Sequence, residues 1–254
     1  MSLIPKNRQK PEPKGFPTND TWLFYGPPKI GKTTLAAKFE DPLVIDLENG
    51  ARHIEEVVVK VKSLKKLMDL YEELEEGEVK RFKTIVIDSS DTLLDLIDKE
   101  TCRVLSKKFK KNYEDISEMP NGSGWAMSRK LMLSQPEMWK RLGVNVVFVG
   151  HSRVVMSENA GVKEASRSLD LAGKLAGRFP ARIDNIGYCY GERKKNEDGK
   201  GFKIVRRISF QPYEDLEVGC RRKELIGKIL PMTMKAMRAQ FDEASVSKKK
   251  VRRK

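Results

Sequence analysis

Residues Gly26-Pro27-Pro28-Lys29-Ile30-Gly31-Lys32-Thr33-Thr34 fit the pattern G-x-x-x-x-G-K-[ST], a spacing whose chemistry is phosphate binding. Its glycines let consecutive backbone N–H groups, and the positive start of the following helix, cradle an anion. In such a loop Lys32 reaches the β- and γ-phosphates of ATP and the Thr33 hydroxyl ligates Mg²⁺. The flanks agree. Trp22-Leu23-Phe24-Tyr25 is a short apolar run, and Thr34-Leu35-Ala36-Ala37-Lys38-Phe39 holds good helix formers. Strand, loop and helix follow in the required order, which a chance glycine-rich turn need not respect.

The metal needs a second anchor. Thr84-Ile85-Val86-Ile87-Asp88 is an apolar run ending in an acid, so Asp88 stands at a strand tip where it can hold Mg²⁺ through water. A strand-end aspartate can also cap the next helix. Hydrolysis further needs a base for the attacking water, and the place directly after the aspartate, an acid in many P-loop ATPases, is Ser89. Glu48, in Val44-Ile45-Asp46-Leu47-Glu48-Asn49-Gly50, lies just beyond the second strand, at the edge where open α/β sheets bind ligands. It is the candidate general base. Asp46 competes for the role, and a plain turn acid is the remaining alternative.

Strands and helices must alternate to bring these groups together. Pro42-Leu43-Val44-Ile45-Asp46 and Val144 to Gly150 read as further buried strands. Residues 63–76 read as a helix with Leu64, Leu67, Tyr71 and Leu74 on one face, Ser63 as cap and Gly77 as stop. A helix is expected from Asp91 to about Leu105, and another over 124–142 that Pro136 must end or kink. Ile183 to Tyr190 and Phe202 to Phe210 flank the turn-rich stretch Lys194 to Gly201, predicting a C-terminal β-hairpin. Residues 222–244 read as helical, broken at Pro231. The βαβ order predicts an α/β fold, a mostly parallel sheet with helices on both faces. Residues 1–20, rich in proline and lysine, read as a flexible arm, 21–245 as the ATPase domain and 246–254 as a basic tail.

The 254 residues suffice for one large core,. Net charge is +14, and taking away the six cations among the last seven residues still leaves +8. Such a surface favours polyanions, nucleic acid before membrane, since no basic amphipathic helix accompanies it; plain solubility is the other explanation. Cys102, Cys189 and Cys220 are scattered without a C-x-x-C and suggest a reducing compartment,. Two histidines do not suggest zinc. No apolar run approaches a membrane span and no signal peptide is visible, so a cytoplasmic location is expected.

Taken in order, the loop Gly26 to Thr34, Asp46-Leu47-Glu48-Asn49-Gly50 and Ile85-Val86-Ile87-Asp88-Ser89-Ser90 resemble the RecA-like recombinases. The chain looks like their phage-encoded, core-only relatives, small AAA-type ATPases some of which anneal single strands. The resemblance covers about residues 20–215. It implies a RecA-like P-loop NTPase core using ATP and Mg²⁺, with Glu48 activating water. In Val147-Phe148-Val149-Gly150-His151-Ser152-Arg153, His151 stands where this group carries a polar γ-phosphate sensor that reports to a DNA-binding loop. RecA has glutamine there, so the match is of place. A histidine can give and withdraw a hydrogen bond; an incidental strand-end histidine is the alternative.

RecA-like cores hold single strands on two loops. The first counterpart, 106–124, offers Lys107, Lys108, Lys110 and Lys111 interleaved with Phe109 and Tyr113, a composition for phosphate contact and base stacking, or simply a solvated helix end. The second, 152–178, carries Arg153, Lys163, Arg167, Lys174 and Arg178 and is expected to be a loop ordered only on binding. Arg206 and Arg207 could reach a neighbouring subunit's nucleotide, or be a strand-face pair. Phe241 to Ala244 fits an F-x-x-A polymerisation motif that also arises readily by chance. The function implied is ATP-dependent binding of single-stranded DNA in phage recombination or replication, promoting strand annealing or pairing with DNA-stimulated hydrolysis. A homo-oligomer in the bacterial host cytoplasm is expected, with a single-strand-binding protein as a further candidate partner. The alternatives are a replication-accessory or helicase-loading ATPase, a P-loop small-molecule kinase, and a non-hydrolysing nucleotide-gated module.

Overall fold

The computed structural model describes residues 15–159, 162–196, 200–213 and 216–251. Residues 1–14 of the expected arm, 252–254 of the expected tail and the Lys163 side chain lie outside the described part. The chain runs β1 (Thr21–Gly26), α1 (Lys32–Ala36), β2 (Pro42–Asp46), β3 (Val57–Lys60), α2 (Leu64–Glu76), β4 (Thr84–Asp88), α3 (Ser90–Phe109) and α4 (Ser123–Lys140). It continues β5 (Asn145–Asn159), β6 (Val162–Leu169), α5 (Leu175–Arg178), β7 (Asn185–Lys195), β8 (Phe202–Ser209), β9 (Gly219–Cys220), β10 (Ile229–Pro231) and α6 (Met234–Val251).

Successive side chains of a strand point to opposite faces, and the apolar runs are sorted accordingly. Leu23, Tyr25, Ile45, Ile85, Ile87, Val146 and Phe148 share one core with Leu67 of α2, Leu93 and Ile97 of α3, and Met132 and Trp139 of α4. Trp22, Phe24, Val44, Val86, Val147 and Val149 share the other with Leu35 of α1 and Met237 and Phe241 of α6. Helices therefore cover both faces, as the buried runs require. The strand order is β10-β8-β7-β1-β5-β4-β2-β3, with β6 beside β5 and β9 beside β7. Pairing is parallel from β3 to β7, and β7–β8 is the expected antiparallel hairpin. The central feature for function is that β5 separates β1 from β4. Gly26 is level with His151, Val149 with Asp88, and Asp88 with Asp46. Four strand tips end at one edge.

Several expectations need correction. Residues 152–159 and 162–169 are not a loop awaiting a ligand: the far half of β5 and β6 pair as antiparallel strands, which satisfies the backbone groups that face each other,. Pro136, expected to end or kink α4, does not end it: the helix runs on to Lys140 with Pro136 buried inside it. The stretch before Pro231 is not helical; β10 there pairs with β8. Helix α6 runs on to Val251, into the expected tail. Phe16 of the expected arm stacks on Trp22 at 5.5 Å and meets Phe241 at 5.3 Å. Phe241 is thus a core residue, and the F-x-x-A match has no exposed phenylalanine to offer a neighbour.

At the opposite edge a buried carboxylate ties the strands together. Asp184 accepts from Thr21 N and Thr21 Oγ1, both at 3.0 Å, from Lys140 Nζ at 2.6 Å and from Arg221 Nη1 at 2.9 Å. Burial alone would raise its pKa, but the hydrogen bonds from Lys140 and Thr21 outweigh burial and hold it below the usual range. A depressed carboxylate stabilises the fold above its unfolded pKa of about 3.9, and this is lost as pH falls through the folded value. Asp184→Asn should cost about 2–3 kcal/mol at neutral pH, because it leaves Lys140 without its countercharge. The gap from wild type, followed by denaturant unfolding, should be level from about pH 5 to 8 and shrink below about pH 4.

Candidate active site

The phosphate loop is built by close approach. A Cβ on Gly26 would stand 2.1 Å from the Cys189 carbonyl oxygen on β7, and φ there is +156°, so no larger residue fits between these strands. Gly31, at φ +102°, turns the chain into α1. Lys32 is only 4% exposed; its Nζ donates to the carbonyls of Gly26 at 3.1 Å and Pro27 at 2.8 Å. Burial pushes the Lys32 pKa down, with Asp88, Asp91 and Glu48 opposing the shift. A buried ammonium bonded only to carbonyl oxygens is a donor that an anion would complete.

Thr33 Oγ1 donates to Asp88 Oδ2 at 2.6 Å, so helix α1 and the tip of β4 meet at a hydroxyl–carboxylate pair. These hard oxygen donors suit Mg²⁺, and Asp88 faces the phosphate loop as the sequence predicts. Burial raises the Asp88 pKa to about 6, aided by Glu48 and Asp46 and opposed by the Thr33 hydrogen bond and Lys32.

Asp46 and Glu48 differ in what each touches. Asp46 is buried and accepts from Gly50 N and Ala51 N, both at 3.1 Å, folding the turn after β2. Glu48 points to the next strand tip. Its Oε1 accepts from the Ser89 hydroxyl and from Thr92 Oγ1 at 3.1 Å, leaving Oε2 without a partner among the described residues. Ser89, which caps α3 through Thr92 N at 3.4 Å, thereby orients the carboxylate. The peptide between Asp88 and Ser89 is cis.

His151 sits beside this carboxylate. Its Nδ1 is 2.8 Å from Asp91 Oδ2 and 3.7 Å from Glu48 Oε1, and its backbone N–H donates to Asp91 Oδ1 at 3.4 Å. The hydrogen bond to Asp91 raises the His151 pKa against burial. Burial would raise Asp91, but the same bond brings it below the ordinary value. An ionised Asp91 makes Nδ1 the donor, leaving Nε2 as the outward nitrogen. Asp91 was missed in the sequence because it sits in a helix first turn, where acids are common; only its spacing of three from Asp88 hinted at a role. Arg206 was expected to face a neighbour or lie on a strand face. It lies on strand β8 and stands over its own phosphate loop, with Nη1 3.0 Å from where a Cβ on Gly31 would lie. Arg207 is occupied by Glu192 at 3.0 Å.

The cationic residues assigned to DNA do not gather at this site. Lys107, Lys108 and Lys110 end α3 and Lys111 follows it, about 25–30 Å along the helix from Ser90. Tyr113 cannot stack on a base because it is buried with Cys102, Leu105, Ile116 and Met119. Arg153 and Arg167 lie on the β5–β6 hairpin, in adjacent register positions and so on opposite faces,. Lys174 follows the hairpin at the start of α5.

A phosphate loop, a Thr–Asp pair for a divalent cation and an oriented carboxylate at one sheet edge define a P-loop nucleoside triphosphatase. The AAA-domain family matches residues 18–217, and the chain belongs to that family of ATPases. Among solved structures it is similar to a KaiC-like protein from the hyperthermophilic archaeon Pyrococcus horikoshii OT3, with 16% identity, a TM-score of 0.47, and coverage of 85% of this chain and 86% of that one. No curated protein matches it.

Lys32→Ala should abolish ATP binding or turnover, read by nucleotide titration and phosphate release. Glu48→Gln should keep nucleotide binding but slow hydrolysis by roughly 10²–10⁴. Asp46→Asn should lower the melting temperature, since an amide would face the backbone N–H groups of the turn. If Asp46→Asn lost hydrolysis while Glu48→Gln kept it, the base would be Asp46.

Proposed function

We propose that this ATPase uses its nucleotide state to control its grip on single-stranded DNA, promoting strand annealing or pairing in recombination or replication of the kind phages carry out. The observation that carries this reading is the double attachment of His151. Its ring reaches Asp91 and the Glu48 carboxylate, while its backbone carbonyl accepts from Asp170 N at 2.9 Å. Asp170 ends the cationic hairpin and begins the segment leading to Lys174. Gly150 tightens the junction, since a Cβ there would meet Leu169 at 2.5 Å and Ser90 at 2.7 Å.

The chain's own groups fit hydrolysis. Lys32 leaves the loop carbonyls for phosphate oxygens, and Arg206 adds a second cation from the same chain. The Oε2 of Glu48 takes the proton of the attacking water while Ser89 and Thr92 hold Oε1. Mg²⁺, held by Thr33 and Asp88, would supply charge neutralisation on the β- and γ-oxygens. His151 Nε2, fixed by Asp91, is the donor that distinguishes ATP from ADP, and its withdrawal relaxes the hairpin junction. The net charge of +14 supports a polyanionic partner,. Among the described residues no helix is long and apolar enough to cross a membrane.

Phosphate release with and without an unstructured oligonucleotide tests the reading, and single strands should raise the rate. His151→Ala should still bind ATP but lose most of the ATP-dependent gain in oligonucleotide affinity and, by linkage, the effect of DNA on ATP affinity. Affinities measured with and without a slowly hydrolysed ATP analogue give the ratio. An unchanged ratio in the variant would remove His151 as sensor, and a wild-type ratio of one would remove the coupling altogether.

A further inference from the structure

Of the three tryptophans, Trp22 and Trp139 are 0% exposed and Trp125, in the first turn of α4, is 45% exposed. Its ring lines a cavity of about 180 Å³ together with Arg129 and with Lys174 at the start of α5. A second cavity, of about 530 Å³, continues along the next turns of α4 and is lined from the α5 side by Arg178 and Arg182. Of the acids bordering these cavities, Glu137 pairs with Arg141 and Asp184 with Lys140 and Arg221, while Asp98 accepts from the Ser128 hydroxyl. Arg129, Lys174, Arg178 and Arg182 make no ion pair among the described residues. The face thus combines one accessible aromatic plane with a row of cations that make no ion pair among the described residues.

We propose that the α4–α5 face is the track for a single strand of DNA, with Trp125 stacking on a base and Arg129, Lys174, Arg178 and Arg182 holding phosphates. This rests on the DNA reading above and names the surface that serves it. Aromatic stacking with cations along the backbone is the chemistry of single-strand binding, because a duplex keeps its base faces inside the stack. From Trp125 to Lys140 the helix rises about 22 Å, or about six phosphates at the B-form spacing of about 3.4 Å per strand and fewer if the strand is stretched. The track also has a link to the nucleotide. Lys174 lies four residues beyond Asp170, whose N–H is bonded to the His151 carbonyl.

Because the other two tryptophans are sealed in the core, emission quenching by an unlabelled 20-mer of thymidylate reports on Trp125. With Mg²⁺ and a slowly hydrolysed ATP analogue, the full chain should be quenched at the same oligonucleotide concentration that saturates binding of a labelled copy followed by anisotropy. In the anisotropy assay Trp125→Ala should bind about 5- to 150-fold more weakly, while Trp125→Phe, which keeps a stacking face, should retain most affinity. Arg178→Ala with Arg182→Ala should lower the slope of log affinity against log salt by about 1.4. Saturable binding without quenching, and with Trp125→Ala equal to wild type, would overturn the track and leave the DNA reading standing. Absence of binding in the anisotropy assay would overturn both.

Discussion

Strand β5 lies between the strand that delivers the phosphate loop and the strand that ends in Asp88, and the placement of the other groups depends on that order. With β1 level with β5 and β5 level with β4, the middle of β5 passes between Gly26 and Asp88. The residue of β5 level with Gly26 is His151, at the point where the strand leaves the sheet. The order also explains why β5 can be long. Its first half is paired on both sides within the sheet, and its second half leaves the sheet and needs a partner of its own, which β6 provides. An unpaired continuation would expose a row of backbone donors and acceptors.

The charges at this edge are arranged in opposed pairs. Asp88 is buried, which weakens its hold on a proton-free state, yet Thr33 and Lys32 pull the other way. Lys32 is buried too, and its pKa falls for the same reason. Each group is desolvated to the point where a cation at one and an anion at the other would relieve both, so magnesium and a triphosphate together suit the site better than either alone. Asp91 and His151 are already matched to each other. They are the part of the site that is complete without nucleotide, consistent with a role in positioning and signalling and not in the bond-breaking step.

What was legible in the sequence was whatever is local. Lys32 and Thr33 are fixed by nine contiguous residues; Asp88 and Glu48 are each set by the end of one apolar strand. Strands β2 and β4 have the bounds expected of them because they are buried on both faces, so the apolar run and the strand coincide. The partners of these groups were not legible. Asp91 and His151 are 60 residues apart, and nothing local marks either as the other's match. Arg206 reaches Gly31 only because β8 pairs with β7 and β7 with β1. Polar composition misled at the β5–β6 hairpin, where mixed residues resemble a solvated loop until the ladder is seen. It misled equally at Lys107 to Lys111, where the interleaved Tyr113 turns inward to a small cluster of its own.

Helix α3 gives the nucleotide a physical connection to the rest of the molecule. Its cap Ser89 and first-turn Asp91 and Thr92 lie in the network around Glu48, and one and two turns later Leu94 and Asp98 border the cavity that Trp125 and Lys174 line. A second route, through the His151 carbonyl and Asp170, enters the same cavity from the β6 side. Two chains of contacts thus run from the surroundings of Glu48 to one cavity. A shift of either element by a fraction of an ångström is transmitted because close-packed interiors deform little. The residues at Lys107 to Lys111 lie at the far end of α3, beside the Tyr113 cluster and away from these contacts. A cationic segment there can add general attraction for a polyanion, but its contacts have no structural reason to depend on the nucleotide.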